Sequence, residues 1–420
     1  MKQVGMNKND IKTRDQFDEQ AYIQHYDDIQ QALNAGVIES AWWHYENFGR
    51  AEGRKAFRLD TRFDEQFYLK SYPYVSMELR AKTAATAHDH YLERGKGRGF
   101  LPHLKAARPD NAATQLSPYG GLWPDETNAL DILDSKLEIG QITEAQAALL
   151  SHWIRYGYVV LEQAIPPALI DAAECDLDKA FAGGFPDMRF ECHKVGPGLV
   201  QWKKEILGHA GKAIDIHHFS KASRNVMFAD AISDFFALIF ESRTFATQTL
   251  GFLRGSGQEG HQDSAYVPFT IPRRFAATWV ALEDVTVGAG ELFYYPGSHR
   301  FPDFLYGGRF KSIAEATRSG YTVERAEVEQ HVTSLQNRAR ELGIEKKVLA
   351  AKRGDALVWH ADLVHGGNPV SADITRKSLV THYCPKRMSP LFSEMRSIDI
   401  YEHGGHIFTS HLYPAKYFVR

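Results

Sequence analysis

Two histidines, a carboxylate and an arginine stand in this 420-residue chain in an order that few folds can bring together. His261-Gln262-Asp263 comes first, His365 lies far downstream, and Arg376 follows it eleven residues later. In an extended strand, residues two apart face the same side. His261 and Asp263 can therefore reach one metal ion while Gln262 points away or sideways. Two histidines and one carboxylate, with coordination positions left open, form the facial triad of a non-haem Fe(II) centre that activates oxygen. Such a centre has no need of an arginine. A planar guanidinium is a bidentate clamp for a carboxylate, so the set reads as Fe(II) with 2-oxoglutarate and O2 as cosubstrates.

The distal half has its own logic. Gly366-Gly367-Asn368-Pro369 and Ser371-Ala372-Asp373 are turn-forming residues. A hairpin centred near Val370 would return Arg376 to the strand beside His365. Ser378, two residues on, would share the face of Arg376 and hydrogen-bond the same carboxylate. His360 competes for the distal metal position, but it lies farther from the turn and fits a hairpin poorly, so His365 is preferred. His299, in Pro296-Gly297-Ser298-His299, reads as a structural turn residue. His382 reads as a strand-packing histidine. Arg189, Trp202-Lys203-Lys204, His217, His218, Lys221 and Arg224 form a basic-aromatic zone. A solvated helix–loop face explains it better than an anionic-substrate site.

Length argues for a large core plus an accessory module. With 49 Lys+Arg against 52 Asp+Glu, no basic field points to nucleic acid or to an anionic membrane. The first ten residues are polar and lack the apolar stretch of a signal peptide. Phe228 to Phe240 is apolar but interrupted by Asp230 and Asp234, which suits a buried helix rather than a membrane span. Cys175, Cys192 and Cys384 show no zinc-type spacing, so a reduced, cytoplasmic setting is expected.

The N-terminal hundred residues repeat internally. Phe17-Asp18-Glu19-Gln20 recurs as Phe63-Asp64-Glu65-Gln66, 46 residues later. The same offset pairs Tyr22 with Tyr68, Tyr26 with Tyr72, His44-Tyr45 with His90-Tyr91, Gly49 with Gly95 and Gly53 with Gly99. Repeats of this length encode stacked supersecondary units, here short helices with an aromatic face, the histidines packing beside tyrosines. A two-copy helical module is expected over 15–105 and a Pro/Gly-punctuated linker over 106–128. The catalytic domain would then occupy 129–420. Within it, helical segments are expected from Ala129 to Tyr156, with a start at Ile142-Thr143-Glu144. A strand at Tyr158–Leu161 and a helix after Pro166-Pro167 follow. From about Thr244, short aromatic and β-branched runs separated by Gly and Pro indicate an antiparallel barrel or jelly roll. The fold class is α+β.

Two resemblances sharpen this reading. The N-terminal units resemble the short Tyr/Gly repeats attached to bacterial glycosyltransferases and other surface-glycan proteins. Residues from about 130 to 400 resemble the phytanoyl-CoA dioxygenase family of Fe(II)/2-oxoglutarate oxygenases. The likeness runs through Gly157-Tyr158-Val159-Val160-Leu161, His261-Gln262-Asp263-Ser264-Ala265-Tyr266, Trp279-Val280-Ala281-Leu282-Glu283-Asp284, Pro296-Gly297-Ser298-His299, His365-Gly366 and Arg376. It implies a double-stranded β-helix in which His261, Asp263 and His365 bind iron and Arg376 pairs with 2-oxoglutarate. Trp279 and Gln262 would line the cosubstrate pocket. Some relatives carry a hydroxyl residue where this chain has Gly367, and Ser378 is the expected replacement. Halogenating relatives replace the carboxylate at position 263 with a small residue; its presence here favours hydroxylation of a C–H bond, with release of succinate and CO2. The expected substrate is a small or glycan-linked molecule, with residues 15–105 as a protein- or glycan-docking module. A non-catalytic metal- or glycan-binding protein is the alternative, and a metal-dependent isomerase of another cupin-like type is a third.

Overall fold

The computed structural model describes residues 19–54, 86–92 and 116–419 apart from 372, 387, 395 and 396, together with single residues at 14, 17, 56, 65, 68, 69, 75 and 79. The chain forms two compact units, residues 1–64 and 65–420.

In the smaller unit, helices Glu19–His25, Asp27–Asn34 and Ala41–His44 enclose Phe17, Tyr22, Ile29, Trp42 and Tyr45. Ser40 caps the third helix by accepting the Trp43 N–H. The Tyr22 hydroxyl bonds His44 Nδ1 at 3.2 Å. Forty-six residues on, within the larger unit, Thr86 caps Ala87–His90 in the same way, and the Tyr68 hydroxyl bonds His90 Nδ1 at 2.9 Å. The sequence offset therefore carries one physical interaction twice, and both histidines pack against tyrosines. Tyr72, Gly95 and Gly99 lie outside the described residues, as does the first part of the expected linker, 106–115. The part of that linker that is described, 116–128, is built into the larger unit. Leu122 belongs to its main apolar core, and the buried Asp125 carboxylate sits 3.1 Å from His360 Nε2 while accepting the Leu122 N–H at 2.7 Å.

Helices Ala129–Glu138 and Glu144–Tyr156 follow. Thr143 and Gln146 form a reciprocal capping box at the start of the second, which is why Ile142-Thr143-Glu144 reads as a start. Gly157 ends it at φ +75°, where a Cβ would lie 2.5 Å from the His299 ring, so glycine is required twice over. The strands are β1 (Tyr158–Leu161), β2 (Arg189–Glu191), β3 (Leu199–Gln201), β4 (Lys212–Ile214), β5 (Thr244–Phe252), β6 (Ala276–Ala281), β7 (Leu292–Tyr294), β8 (Lys347–Val348), β9 (Ala356–His360), β10 (His365–Gly367), β11 (Ser378–Pro385), β12 (Tyr401–His403) and β13 (His406–Phe408).

The large sheet runs β1-β9-β6-β11-β5-β4-β2-β3, with β13 beside β5 and β12 beside β13; the small sheet runs β10-β7-β8. His261 extends the small sheet through a bridge to His365. Followed along the chain, the barrel strands alternate: β5 large, His261 small, β6 large, β7 and β8 small, β9 large, β10 small, β11 large. That alternation is a double-stranded β-helix. Trp279, Leu357 and Val380 of the large sheet share one apolar cluster with Leu292 and Tyr294 of the small sheet, so the inner faces pack together. The outer face of the large sheet, at Val280, Val358, Leu379 and Tyr383, is covered by helices Glu144–Tyr156, Pro167–Phe181 and Asp230–Phe240. Strands β6, β9 and β11 are consequently buried on both sides. Asp230–Phe240 is the expected buried helix, and no described helix is long and apolar enough to cross a membrane.

Three expectations fail here. His365 and Arg376 are not hairpin partners: β10 pairs with β7, whereas β11 pairs with β5 and β6, so the turn between them crosses from one sheet to the other. The barrel region is not uniformly β, because helices Ile313–Arg318 and Arg325–Glu341 lie between β7 and β8. The basic-aromatic zone is not a solvated face throughout. Lys203, Lys204 and Lys221 are exposed, but His217, His218 and Arg224 are buried under the C-terminal segment. Arg224 donates to the carbonyls of His217 and Val419, and His217 bonds Thr249 and the Thr409 carbonyl.

The Asp125–His360 pair gives a stability test. Removing the Asp125 carboxylate leaves the buried His360 Nε2 and the Leu122 N–H without their acceptor, at a cost of about 1–3 kcal/mol. Asp125→Ala is expected to lose that much in chemical denaturation, and a change under about 1 kcal/mol would show that 116–128 is not part of the folded core.

Candidate metal centre and cosubstrate pocket

The centre is set by backbone pairing. His261 and His365 exchange both hydrogen bonds, N–H to carbonyl at 2.9 and 3.0 Å, as directly opposed residues of antiparallel strands do. Their rings stand on the same side, with centroids 4.5 Å apart. Gln262 is extended (φ −108°, ψ 129°), so Asp263 returns to the side of His261 before a short 3-10 turn, Asp263–Ala265, leads the chain away.

Each ring is oriented by a carbonyl two residues before it. His261 Nδ1 lies 2.9 Å from the Glu259 carbonyl, and His365 Nδ1 lies 2.9 Å from that of Leu363. A carbonyl can only accept, so both Nδ1 atoms carry the proton and both Nε2 atoms present a lone pair. Those Nε2 atoms lie 3.5 and 3.7 Å from Asp263 Oδ1. One donor atom from each of the three residues falls within 4.8 Å of the others. The other carboxylate oxygen, Oδ2, accepts from Trp359 Nε1 at 2.8 Å and lies 3.4 Å from His382 Nε2. Burial alone would raise the Asp263 pKa, but His365, His261 and His382 around it hold the carboxyl well below its usual value. Burial lowers His365 to about 4, against the pull of Asp263. A carboxylate beside a neutral imidazole, both with directed lone pairs, is the protonation state that a divalent cation requires.

The same cavity is lined by Trp279 and Arg376. The Arg376 backbone N–H donates to Leu253, one guanidinium nitrogen donates to the Gly290 carbonyl, and the guanidinium lies 5.6 Å from the Trp279 ring centre. Burial lowers its pKa to about 10, with Glu291 acting in the other direction, so it remains a cation at neutral pH. Among the described residues no carboxylate forms an ion pair with it. Arg376 Nε and Trp279 Nε1 are both buried without a partner. Orphaned donors on a 3%-exposed cation are costly. A carboxylate entering the cavity would satisfy them, so the donor set fits 2-oxoglutarate.

The structure thus brings His261, Asp263, His365, Trp279 and Arg376 to one cavity. It does not bring Gln262 or Ser378 there. Gln262 points away, its Nε2 donating to the Asp362 carbonyl at 2.8 Å. The Ser378 hydroxyl is buried and turned to the Arg376 carbonyl at 3.5 Å. The hydroxyl beside position 367 belongs instead to Ser256, whose Oγ lies 3.0 Å from where a Cβ on Gly367 would be. His360 is held by Asp125, away from the triad. His299 is buried in a turn, as expected.

Lys212, Ser256, Gln258, Trp359 and His382 are among the lining residues that escaped sequence reasoning. The two-residue period Arg376–Ser378–Val380–His382 was a usable signal for His382. Lys212, on β4 and paired with Glu191 at 3.0 Å, had none, because its strand reaches the cavity only through pairing with β5.

Anaerobic Fe(II) titration tests the donor set. The unmodified chain is expected to bind one ion. His365→Ala and Asp263→Ala are expected to lose binding, whereas His360→Gln keeps it while melting at lower temperature. An iron-free His360→Gln beside an iron-replete His365→Ala would reverse the assignment.

Residues 153–378 match the family described as Phytanoyl-CoA dioxygenase (PhyH). Among curated proteins, Phytanoyl-CoA dioxygenase 1 of Oryza sativa subsp. japonica is 25% identical over 194 residues, which are 44% of this chain. The chain spans 60% of the length of that relative. Similar solved structures include the epimerase SnoN in complex with Fe3+, alpha ketoglutarate and nogalamycin RO, at 19% identity and TM-score 0.43, covering 57% of this chain and 84% of that one. EctD from S. alaskensis with 2-oxoglutarate and 5-hydroxyectoine matches at 18% identity and TM-score 0.42, covering 58% of this chain and 76% of that one. The family match takes in just over half of the chain, from the helix before β1 to the first residue of β11, and with it the triad, Trp279 and Arg376: the chain belongs to the phytanoyl-CoA dioxygenase (PhyH) family.

Proposed function

We propose that the protein is an Fe(II)- and 2-oxoglutarate-dependent dioxygenase that hydroxylates a C–H bond of a small or glycan-linked molecule. One observation carries the reading: a directed two-histidine, one-carboxylate donor set shares a cavity with a buried guanidinium Nε and an indole N–H that both lack partners. A protein that only bound metal or glycan would have no use for the second half.

His261, Asp263 and His365 would hold iron through Nε2, a carboxylate oxygen and Nε2. Arg376 would hold the distal carboxylate of 2-oxoglutarate, with the Trp279 indole beneath the guanidinium and its N–H free to donate. Ser256 supplies the hydroxyl that Gly367 lacks, in place of Ser378. Trp359 and His382 keep one Asp263 oxygen occupied, which leaves the other for the metal. Phe252, Leu292 and Val380 add apolar wall beside the polar Lys212 and Gln258. Bound iron, with 2-oxoglutarate and O2, supplies the oxidation: one oxygen atom goes to the product and one to succinate, with loss of CO2. The carboxylate at position 263 supports hydroxylation over halogenation.

A bidentate clamp is not preserved by lysine. Losing one charge-assisted hydrogen bond, about 1.5–3 kcal/mol, is expected to raise the 2-oxoglutarate KM of Arg376→Lys about 10- to 100-fold while Fe(II) affinity stays near that of the unmodified chain. Succinate formation measures the first and anaerobic titration the second. An unchanged KM would remove Arg376 from the cosubstrate site.

We also propose a docking role for the N-terminal repeats, and a cytoplasmic site of action. The triad lies wholly outside the repeats, and the first copy is a compact unit of its own. Removing residues 1–64 is expected to leave 2-oxoglutarate turnover without substrate intact and to lower the rate on a large glycan-linked acceptor. Equal rates on that acceptor would exclude recruitment by the first copy.

A further inference from the structure

The loop that carries Asp263 is held from outside the metal centre by one buried residue. Gln262 Nε2 donates to the Asp362 carbonyl at 2.8 Å, and the Ser264 hydroxyl donates to the Asp362 carboxylate. The Ser264 N–H donates to the Ala361 carbonyl at 3.0 Å. Both neighbours of Asp263 are therefore tied to the dipeptide 361–362, which stands just before His365. An orientation error in Asp362 would reach two of the three metal ligands through one covalent step each side.

What orients Asp362 is a pair of buried cations. Arg273 Nε lies 2.9 Å from its Oδ2, and Lys311 Nζ lies 3.3 Å from the same atom. Lys311 also meets Asp303 at 2.8 Å. Lys311 is only 2% exposed and Asp362 is fully buried. A lysine is almost never so buried unless it is paired, and here its partners are two carboxylates. Burial would raise the Asp362 pKa, but Lys311 and Arg273 hold the carboxyl well below its usual value. Both Lys311 and Asp303 come from the segment between β7 and β8. That segment also packs on the flanks of the centre: Tyr306, Phe310 and Ala316 around Ala265, and Phe301, Leu335 and Ala339 around Val364.

We propose that Lys311 is a positioning residue for the iron ligand Asp263, acting through Asp362 and Ser264, and that the segment between β7 and β8 thereby sets the metal affinity of the centre. The inference rests on the Fe(II) reading of the triad. Without Lys311, Asp362 keeps its charge and loses one of two counter-ions. Its carboxylate is then pulled toward Arg273 alone and releases the Ser264 hydroxyl, so the Asp263 backbone loses a tether. Losing a partner bonded directly to a metal ligand typically weakens metal binding about 10- to 100-fold; Lys311 acts through Asp362 and Ser264, so the lower end of that range is expected.

The test is anaerobic Fe(II) titration of the full chain, read below the melting temperature of each variant. Lys311→Met is expected to raise the Fe(II) Kd about tenfold and to lower the melting temperature. Ser264→Ala cuts the tether from the other end and leaves Asp362 with both cations; it is expected to raise the Kd while melting close to the unmodified chain. That separation is one a merely structural role would not produce. If Lys311→Met does not fold, Ser264→Ala decides alone. A Kd within about twofold of the unmodified chain in Ser264→Ala, or in a folded Lys311→Met, overturns the proposal (the expected loss is about tenfold). If the unmodified chain binds no Fe(II), the reading of the triad fails and this inference fails with it.

Discussion

The reciprocal pair of backbone hydrogen bonds between His261 and His365 is the interaction on which the rest of the centre depends. Opposed residues in a hydrogen-bonded antiparallel pair stand about 5.5 Å apart at Cα, close enough for two imidazoles to share one ion. The pairing costs the site little, since those N–H and carbonyl groups had to be satisfied somewhere. It also fixes register: a slip of one residue would turn either histidine to the opposite face. The carbonyls of Glu259 and Leu363 then set the ring tautomers, and the short turn after Asp263 brings the carboxylate back between the rings.

Three buried carboxylates follow a similar rule of local compensation. Asp125 is met by His360, Asp362 by Arg273 and Lys311, and Asp215 by Ser410 and His411. Each pair joins elements distant in sequence, so these charges pin loops that apolar packing alone would leave interchangeable. Arg376 has no such counter-ion among the described residues. Its donors meet one carbonyl and an aromatic face, and the remaining capacity points into a cavity. A buried cation with an unpartnered donor beside an open cavity suits a group that would receive a ligand there.

The chemistry was more legible in the sequence than its geometry. Ligand identity survives in spacing, because a two-residue period constrains His261 and Asp263 whatever the sheet does. Helix starts were legible for the same local reason: the Thr143–Gln146 capping box is contained in four residues. The route between His365 and Arg376 was not. Gly366 to Asp373 announces a reversal of the chain, but turn residues do not say to which sheet the chain returns. That is a long-range property, decided by β11 finding β5 and β6 rather than β10. Helix Arg325–Glu341 was hidden because it buries only His331, Leu335 and Ala339 along a narrow stripe. His217, His218 and Arg224 looked solvated because the segment that covers them lies almost two hundred residues away, at Thr409 and Val419.

These differences sort by what holds each part in place. The triad rests on backbone bonds within the barrel and on the Gln262 and Ser264 side chains that tie the Asp263 turn to Asp362. The clamp rests on Gly290 and Gly255: a Cβ on Gly255 would fall 2.3 Å from the Ala289 carbonyl and 2.9 Å from Gly290 Cα. Close backbone contact there lets the Gly290 carbonyl reach Arg376, and so leaves the guanidinium aimed with one side occupied and the other free. A larger residue at 255 would not touch metal or cosubstrate, yet it would move the acceptor that aims the clamp. On the proposed reading, iron affinity and cosubstrate affinity would be supported by different parts of the chain, the segment between β7 and β8 on one side and the crossing of residues 255 and 290 on the other. The two can be weakened independently even though the groups they serve line a single cavity.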